Sequence, residues 1–287
     1  YALLSYTWLY CALGLPANTL TIITLLKCQT RSPASLLKVY LAVTDNTALV
    51  AKLVEANLKV YTVISSSFAC KFFYVPSVTL TTIANWTLVL ICAERFLTIC
   101  CPLKRRQWIS VKRCKIIFSS MSLGLLLYIF GFCYPLMIPQ QLFLLVQGTF
   151  MVIIPFFVIT ALTGAVIRVL HKYQKERLCL FENSSTPQID RMLNNIAASE
   201  QTTKVAARME NTLSLLMILA ACLYFVVYAP YNVMILIVLP LCSYDRNVSL
   251  TTLVFFILAD SSHVLNCFLY FSLVKGFRSD VLKVIRF

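Results

Sequence analysis

Charged side chains that interrupt apolar segments are the most informative residues of this chain. They are Asp45, the adjacent Glu94 and Arg95, Glu210, and Asp260. Ionisable groups at bilayer depth are costly, so each is expected to have a partner or a functional task. These residues could form ion pairs or bind a charged ligand. The pattern contains no nucleophile beside a base, so it does not indicate catalysis.

Histidine and cysteine show no catalytic or metal-binding pattern. His171 lies at the edge of a polar stretch and His263 lies within an apolar segment, so both are isolated in the sequence. The 12 cysteines are scattered and include no CxxC pair, which argues against zinc and redox chemistry. Neither an enzyme nor a metal cluster is expected.

Three further charged residues, Lys52, Glu55 and Lys59, recur at the three- and four-residue spacing that aligns them on one helical face. Asp45 precedes Lys52 on that face, which is predicted to look into a helical bundle. Asp260 lies at a depth suited to pair with Lys52. A charged cavity of this kind favours a zwitterionic or amidated peptide ligand over a lipid. The alternative is a self-satisfied Lys52–Asp260 pair, with Glu55 and Lys59 at a hydrated rim.

The elements that position these side chains are predicted to be membrane-spanning helices. Of the 287 residues, 60% are hydrophobic and 13% charged, whereas a soluble domain is about 45–50% apolar. The apolar residues fall in blocks, several of which reach the roughly 20 residues needed to cross a bilayer as helix. Helices are predicted over residues 1–28, 36–63, 70–100, 113–138, 140–170, 204–240 and 248–272.

Charge sets the predicted topology. The chain has 25 Lys and Arg against 11 Asp and Glu. The excess basic residues lie mainly in short segments on one side of the bilayer, which indicates that this side is the cytoplasm. This placement argues against a nucleic-acid-binding surface. The N-terminus is then outside, and residues 171–203 form the third cytoplasmic loop. Of three sequons, only that at Asn247 would meet the glycosylation machinery, because Asn183 is in that loop and Asn85 is at mid-membrane.

The predicted fold is an all-α membrane protein, with a seven-transmembrane bundle over residues 1–272. Residues 273–287 are amphipathic and basic, and are predicted to lie on the lipid surface as a short helix.

Five motifs occur in an order and spacing that resemble the rhodopsin family (class A) of G-protein-coupled receptors. They are Gly-Leu-Pro-Ala-Asn at 14–18, Leu-Ala-Val-Thr-Asp at 41–45, Glu-Arg-Phe at 94–96, Val-Tyr-Ala-Pro at 227–230 and Asn-Cys-Phe-Leu-Tyr at 266–270. The resemblance covers the whole chain. Tyr228 and Cys267 stand where the family has Trp and Pro, which indicates a divergent, neuropeptide-receptor-like branch.

The resemblance implies a switch in which Arg95 is clamped to Glu210 and released on activation. Glu210 lies 20 residues before Pro230, about 30 Å along a helix and thus at the depth of Arg95. The alternative is that Arg95 reaches the lipid headgroups and Glu210 is solvated. The implied switch residues are Glu94, Arg95, Glu210, Tyr228, Pro230, Asn266 and Tyr270. The G protein would contact Arg95, Pro102 and Leu103.

The resemblance also implies a polar core of Asn18, Asp45 and Asn266, often occupied by a sodium ion. Ala84 replaces the Ser that commonly completes this cage. The alternative is a neutral or water-bridged Asp45 with a structural role alone.

By family position and helical phase, several residues join the charged ones in a ligand pocket. They are Phe73, Ser77, Val78, Thr81, Gln147, Tyr231 and Asn232. A biogenic amine is disfavoured, because the family's amine-binding Asp is Ser77 here. Retinal is disfavoured because Asp260 occupies the position of the retinal-bearing Lys.

The family disulfide joins the position of Cys70 to a Cys in the second extracellular loop. Between Pro135 and Pro155 only 19 residues remain, none of them Cys. Three alternatives stay open. Cys133 is the disulfide partner of Cys70, Cys70 is free, or loop residues are missing from this sequence.

The leading hypothesis is a plasma-membrane receptor, embedded in membrane lipid, that binds an extracellular neuropeptide and signals through a heterotrimeric G protein. One alternative is a receptor for a small non-peptide ligand, which an acidic residue at position 77 would have supported. Another is a membrane transporter, which would often show repeated halves. No such repeat is visible.

Overall fold

The computed structural model describes most of the chain, with gaps. It covers residues 2–28, 32–61, 67–102, 104, 108–133, 148–182, 219, 222–224, 226–231, 233–234, 246–273 and 275–286. Within that part of the chain the regular structure is entirely helical. The predicted all-α fold is confirmed.

The helices are long and follow the apolar blocks of the sequence. They are α1 Ala2–Cys28, α2 Pro33–Tyr61, α3 Ser67–Cys100, α4 Val111–Cys133, α5 Ile154–Glu182, α6 Cys222–Tyr231, α7 Arg246–Asp260, α8 Ser262–Leu273 and α9 Lys275–Ile285. A π-helical turn, Thr149–Ile153, leads into α5.

The fifth helix ends later in the chain than the sequence predicts. It runs to Glu182, so residues 171–182 of the predicted third loop are helical. This segment contains neither Gly nor Pro, and Lys172 and Glu176 form an (i, i+4) ion pair at 3.8 Å that supports an exposed helix. The change from apolar to polar residues near position 171 therefore marks the end of the apolar environment, whereas the helix itself continues.

The predicted seventh span consists of α7 and α8, which meet at Ser261 with a bend of 40°. No proline causes the bend. The Ser261 hydroxyl donates to the carbonyl of Leu258 over 2.6 Å, and this kind of local bond competes with the helical ladder. The bend matters because Asp260 and Ser262, which flank it, both belong to the site described below.

Among the described residues, three helices are long and apolar enough to cross a membrane, at Leu4–Lys27, Val75–Cys100 and Ile154–Tyr173, and the bent pair would make a fourth. Burial distinguishes them. The window in α3 is 78% buried, against 33% in α1 and 22% in α5. Helix α3 is therefore central, while α1 and α5 turn much of their surface outward, as lipid-facing helices do.

The helices pack around α3 in a single bundle. Helix α1 contacts α2, α8 and α9, whereas α3 contacts α2, α4 and α5. A buried cluster joins α3, α5, α6 and α7 and contains Leu88, Val89, Cys92, Ile159, Tyr224, Val227, Tyr228 and Ala259. This packing fixes the inward faces on which the polar residues lie.

The last helix, α9, matches the predicted amphipathic segment. Phe277 and Val281 are buried against Leu25 and Tyr270, while Ile285 is 62% exposed. One face of α9 is therefore anchored to the bundle, and its exposed apolar side chains remain available to lipid.

Candidate functional site

An ion pair between neighbouring residues lies near the C-terminal end of α3. Arg95 Nε is 3.2 Å from Glu94 Oε2, and the Glu94 side chain is 2% exposed against 15% for Arg95. Thr98, one turn further on, donates its hydroxyl to Glu94 Oε1 over 3.1 Å. Glu94 is thus the carboxylate that holds Arg95 in this structure, and the predicted partner Glu210 lies outside the described residues.

Lys38 on α2 brings a further cation to the inward side of α8. Its Nζ lies 5.4 Å from the centroid of the Tyr270 ring, within the range of a cation–π attraction. The Tyr270 ring in turn meets Phe277 of α9 edge-on at 6.4 Å. Tyr270 therefore connects α2, α8 and α9. Of the two other predicted G-protein contacts, Pro102 is exposed and Leu103 lies outside the described residues.

At mid-bundle a polar core forms from Asn18, Asp45, His263 and Asn266. Asp45 is 1% exposed, and its Oδ1 lies 2.7 Å from His263 Nδ1. The Asn266 amide donates to Asp45 Oδ2 over 2.9 Å. Asn18 does not bond Asp45 but donates to the backbone carbonyl of His263 over 3.0 Å. The core ties α1 and α2 to α8.

Nearer the start of α1, a second buried group forms the Lys52 cluster: Lys52, Asp260, Tyr6 and Phe256. Lys52 Nζ pairs with Asp260 Oδ1, and both side chains are almost fully buried. The Tyr6 hydroxyl donates to Asp260 Oδ2 over 3.1 Å, and Lys52 Nζ lies 5.5 Å from the centroid of the Phe256 ring. Every charge of the cluster is therefore satisfied. Glu55, one turn along α2, is half-buried.

The sixth span contacts the bend between α7 and α8. The Tyr228 hydroxyl and Ser262 Oγ are 2.8 Å apart, and the rings of Tyr224 and Tyr228 lie 4.7 Å apart. Tyr231, one turn on, approaches Phe256 at 5.6 Å between centroids. Pro230 is half-buried between these tyrosines. Tyr228 thus links α6 to the bent span through a polar contact as well as by packing.

The remaining predicted pocket residues divide into three groups. Ser77 and Thr81 are buried on α3, where the Thr81 hydroxyl donates to the Ser77 carbonyl over 3.0 Å. Val78 packs with Val75 and Ile129 between α3 and α4, and its place in the ligand pocket stays a prediction. The other pocket residues lie outside the described residues or have side chains that do: Lys59, Phe73, Gln147 and Asn232. The same holds for the disulfide candidates Cys70 and Cys133 and for the glycosylation candidate Asn247.

Comparison with known proteins identifies the fold and the family. The family model for "7 transmembrane receptor (rhodopsin family)" matches residues 17–270, which is most of the chain. This chain belongs to the rhodopsin family of seven-transmembrane receptors. The crystal structure of squid rhodopsin resembles the whole receptor chain with a TM-score of 0.80 at 16% identity, over 85% of the squid chain. No curated protein matches the receptor in sequence.

Membership confirms the predicted bundle and makes the chain a multi-pass membrane receptor of a G-protein-coupled class. Since the identity to squid rhodopsin is only 16%, that likeness shows the fold and says nothing of the ligand. The motifs from residue 17 onward lie in the matched region.

The polar core of this receptor does not fit the sodium ion that the family implies. Both carboxylate oxygens of Asp45 already face nitrogen atoms, those of His263 and Asn266. Ala84, which is 3% exposed and packs on Leu41, provides no oxygen where the family commonly has Ser. A hard cation needs several oxygen ligands at once, whereas the groups that contact Asp45 here are nitrogen atoms.

Cys267, which replaces the family's Pro in the last motif, has its own polar contacts. The thiol donates to the Ala17 carbonyl over 3.2 Å, and the Thr21 hydroxyl donates to its sulfur over 3.1 Å. Without a proline at this position, α8 continues unbroken. The receptor therefore joins α1 to α8 through a thiol where relatives have a kink.

Sequence reasoning missed several members of the site. His263 appears isolated in the sequence, and this interpretation was wrong. Its partner Asp45 lies 218 residues away along the chain. Its spacing of three residues from both Asp260 and Asn266 places all three on one helical face, and this signal could have revealed it. Tyr6 gives no comparable signal.

Proposed function

We propose that this chain is a plasma-membrane receptor, with its N-terminus outside, that binds an extracellular neuropeptide and activates a heterotrimeric G protein. The observation that carries the proposal is the buried Lys52–Asp260 pair between α2 and α7. Burying two charges costs several kcal/mol each in solvation. Functional sites commonly retain charge at such a cost.

The pair supports a peptide ligand because it presents both signs of charge within one ion-pair distance. A peptide carboxylate would compete with Asp260 for Lys52, and an ammonium group would compete with Lys52 for Asp260. Glu55 adds a half-buried carboxylate one turn along α2. Aromatic rings suited to peptide side chains surround the pair, since Tyr6 lies 5.5 Å from Tyr10 and 6.4 Å from Phe256 between centroids.

The proposed G-protein site lies at the C-terminal end of α3. Arg95 is held by Glu94, and in the proposed active state it leaves this carboxylate, and the proposed second partner Glu210, to meet the G protein. An Arg that exchanges carboxylate partners gives two discrete arrangements, which is what a ligand needs in order to shift a population.

The test is nucleotide exchange on G protein in membranes of cells that express the receptor, screened against a neuropeptide library. Lys52→Ala is expected to abolish the peptide response and to preserve basal exchange, whereas Arg95→Ala abolishes both. Lys172→Ala is the matched control, because Lys172 is a 78% exposed lysine whose partner Glu176 belongs neither to the Lys52 cluster nor to the Glu94–Arg95 pair. Cell-surface antibody labelling of each variant separates loss of function from loss of protein.

A second candidate is a receptor for a small non-peptide ligand. It is favoured because the charges of the Lys52 cluster already have partners within the protein. Tyr6 and Lys52 donate hydrogen bonds to the two oxygens of Asp260. A ligand beside this cluster would then need no charge of its own. A response to an uncharged small molecule that survives Lys52→Ala, together with no response to any peptide, would establish this candidate and refute the first.

A further inference from the structure

The polar core contains a protein group at the place where the family carries a cation. His263 is 1% exposed, and its Nδ1 lies 2.7 Å from Asp45 Oδ1. At this distance a proton lies between the two atoms, whichever of them carries it. A sodium ion approaching Oδ1 would meet that proton, and one approaching Oδ2 would meet the Asn266 amide.

The other ring nitrogen of His263 has a different environment. Nε2 is buried and has no hydrogen-bond partner in the described part of the chain. His263 also lines a cavity of about 20 Å³, whose polar members are Asp45, Asn85, Tyr224, Ser262, His263 and Asn266. A cavity of about 10–15 Å³ or more with several polar partners is large enough for one water molecule. Leaving a buried nitrogen without a hydrogen-bond partner destabilises the folded state, and such a water would relieve that loss.

We infer that the His263 imidazole takes the place of the sodium ion in this receptor, and that a single water in the adjoining cavity completes the core by bonding Nε2. The link between α2 and α8 is then made by protein groups alone. It follows that the stability of the receptor does not depend on sodium. The inference goes beyond the proposed function, since it requires neither a ligand nor a G protein.

The first experiment measures the Tm of the purified full-length chain in detergent, in sodium chloride and in choline chloride at equal ionic strength. The expected result is the same Tm in both salts. A Tm that rises with sodium, and whose rise is lost in Asp45→Asn, would overturn the inference. This comparison needs only the wild-type protein and one variant, so it stands even if other variants do not fold.

The converse variant combines Ala84→Ser with His263→Ser, which removes the imidazole and supplies two hydroxyl oxygens. It is expected to gain a sodium-dependent rise in Tm, because an ion that binds only the folded state stabilises it by mass action. If the double variant folds and its Tm ignores sodium, His263 is not what excludes the ion, and the inference fails.

A direct readout is available because the chain has only two histidines. In protein labelled with ¹⁵N-histidine, His171→Ala assigns the two rings by elimination, and His171 is exposed and remote from the core. Replacing choline by sodium is expected to leave the His263 ring shifts unchanged, and a shift on adding sodium would contradict the inference. Cross-relaxation between water and the His263 ring is expected as well. A dry ring would refute the water.

Discussion

The Lys52–Asp260 pair offers the sharpest prediction at the scale of single residues. Lys52→Met or Asp260→Asn alone would remove one charge and leave the other buried without its partner. Breaking a buried ion pair in this way lowers the free energy of unfolding by about 3–5 kcal/mol. The double substitution removes both charges together. We expect each single variant to have a much lower Tm than the wild type, and the double variant to recover much of the loss, in thermal unfolding of purified protein.

The matched control is the Lys172–Glu176 pair on the same chain. Its side chains are 78% and 56% exposed, and solvent screens such pairs so that many contribute little. Lys172→Met, Glu176→Gln and the double substitution are expected to leave the Tm unchanged. If the Lys52 and Asp260 losses simply added in the double variant, the two residues would not be coupled, and the pair would not be a unit.

The same pair shows how far residue-level prediction reaches. The depth of Asp260 and the spacing of Lys52 predicted that the two could meet, because both follow from counting along helices. The Tyr6 hydroxyl on Asp260 could not be predicted, since its partner lies 254 residues away and depends on how α1 leans on α7. His263 was missed for a related reason: its spacing from Asp260 and Asn266 is a local signal of its helical face, but its partner Asp45 lies on another helix, 218 residues away.

At the scale of helices, Gly14 marks a place where α1 packs tightly against α2 and α8. A Cβ added there would lie 2.5 Å from Leu49 Cδ1 and 3.1 Å from Val264 Cγ2, and both of these side chains are buried. Overpacking of this kind costs about 1–3 kcal/mol, which exceeds the gain of about 1 kcal/mol from replacing a helical Gly by Ala. Gly14→Ala is therefore expected to lower the Tm.

Gly124 on α4 is the natural comparison, because nothing lies within 4 Å of its added Cβ. Gly124→Ala should keep the propensity gain without the clash and leave the Tm equal or higher. A rise in Tm for both variants would mean that α1 can move away from α2 and α8 at no cost. That result would contradict the close packing on which the polar core depends.

Helix ends and helix contacts were not equally predictable. The apolar blocks located α1 to α3 to within a few residues, because each block is bounded by charged or turn-forming residues. Helix α5 ends later than predicted, since its polar segment 171–182 still consists of residues compatible with helix. Which face of α3 meets α4, the face on which Val78 packs with Ile129, could not be read from periodicity in a helix buried nearly all round.

For the whole molecule, motif order predicted the bundle, and the match to the family over residues 17–270 confirms it. The central place of α3 follows from its burial. The orientation of the bundle in the membrane stays a prediction, based on the positive charges between the spans. It determines which end of α3 would face a G protein and which would face a ligand.

Glycosylation tests this orientation directly, because the chain carries sequons on both predicted sides. Asn247 lies in the first turn of α7, near the side predicted to be outside, and Asn183 directly follows α5 on the side predicted to be cytoplasmic. Asn85 is 5% exposed within α3 and out of reach. Enzymatic deglycosylation should shift the gel mobility of the wild type and of Asn183→Gln, but not of Asn247→Gln. A glycan lost in Asn183→Gln instead would place the basic segments outside and Arg95 on the wrong side for a G protein.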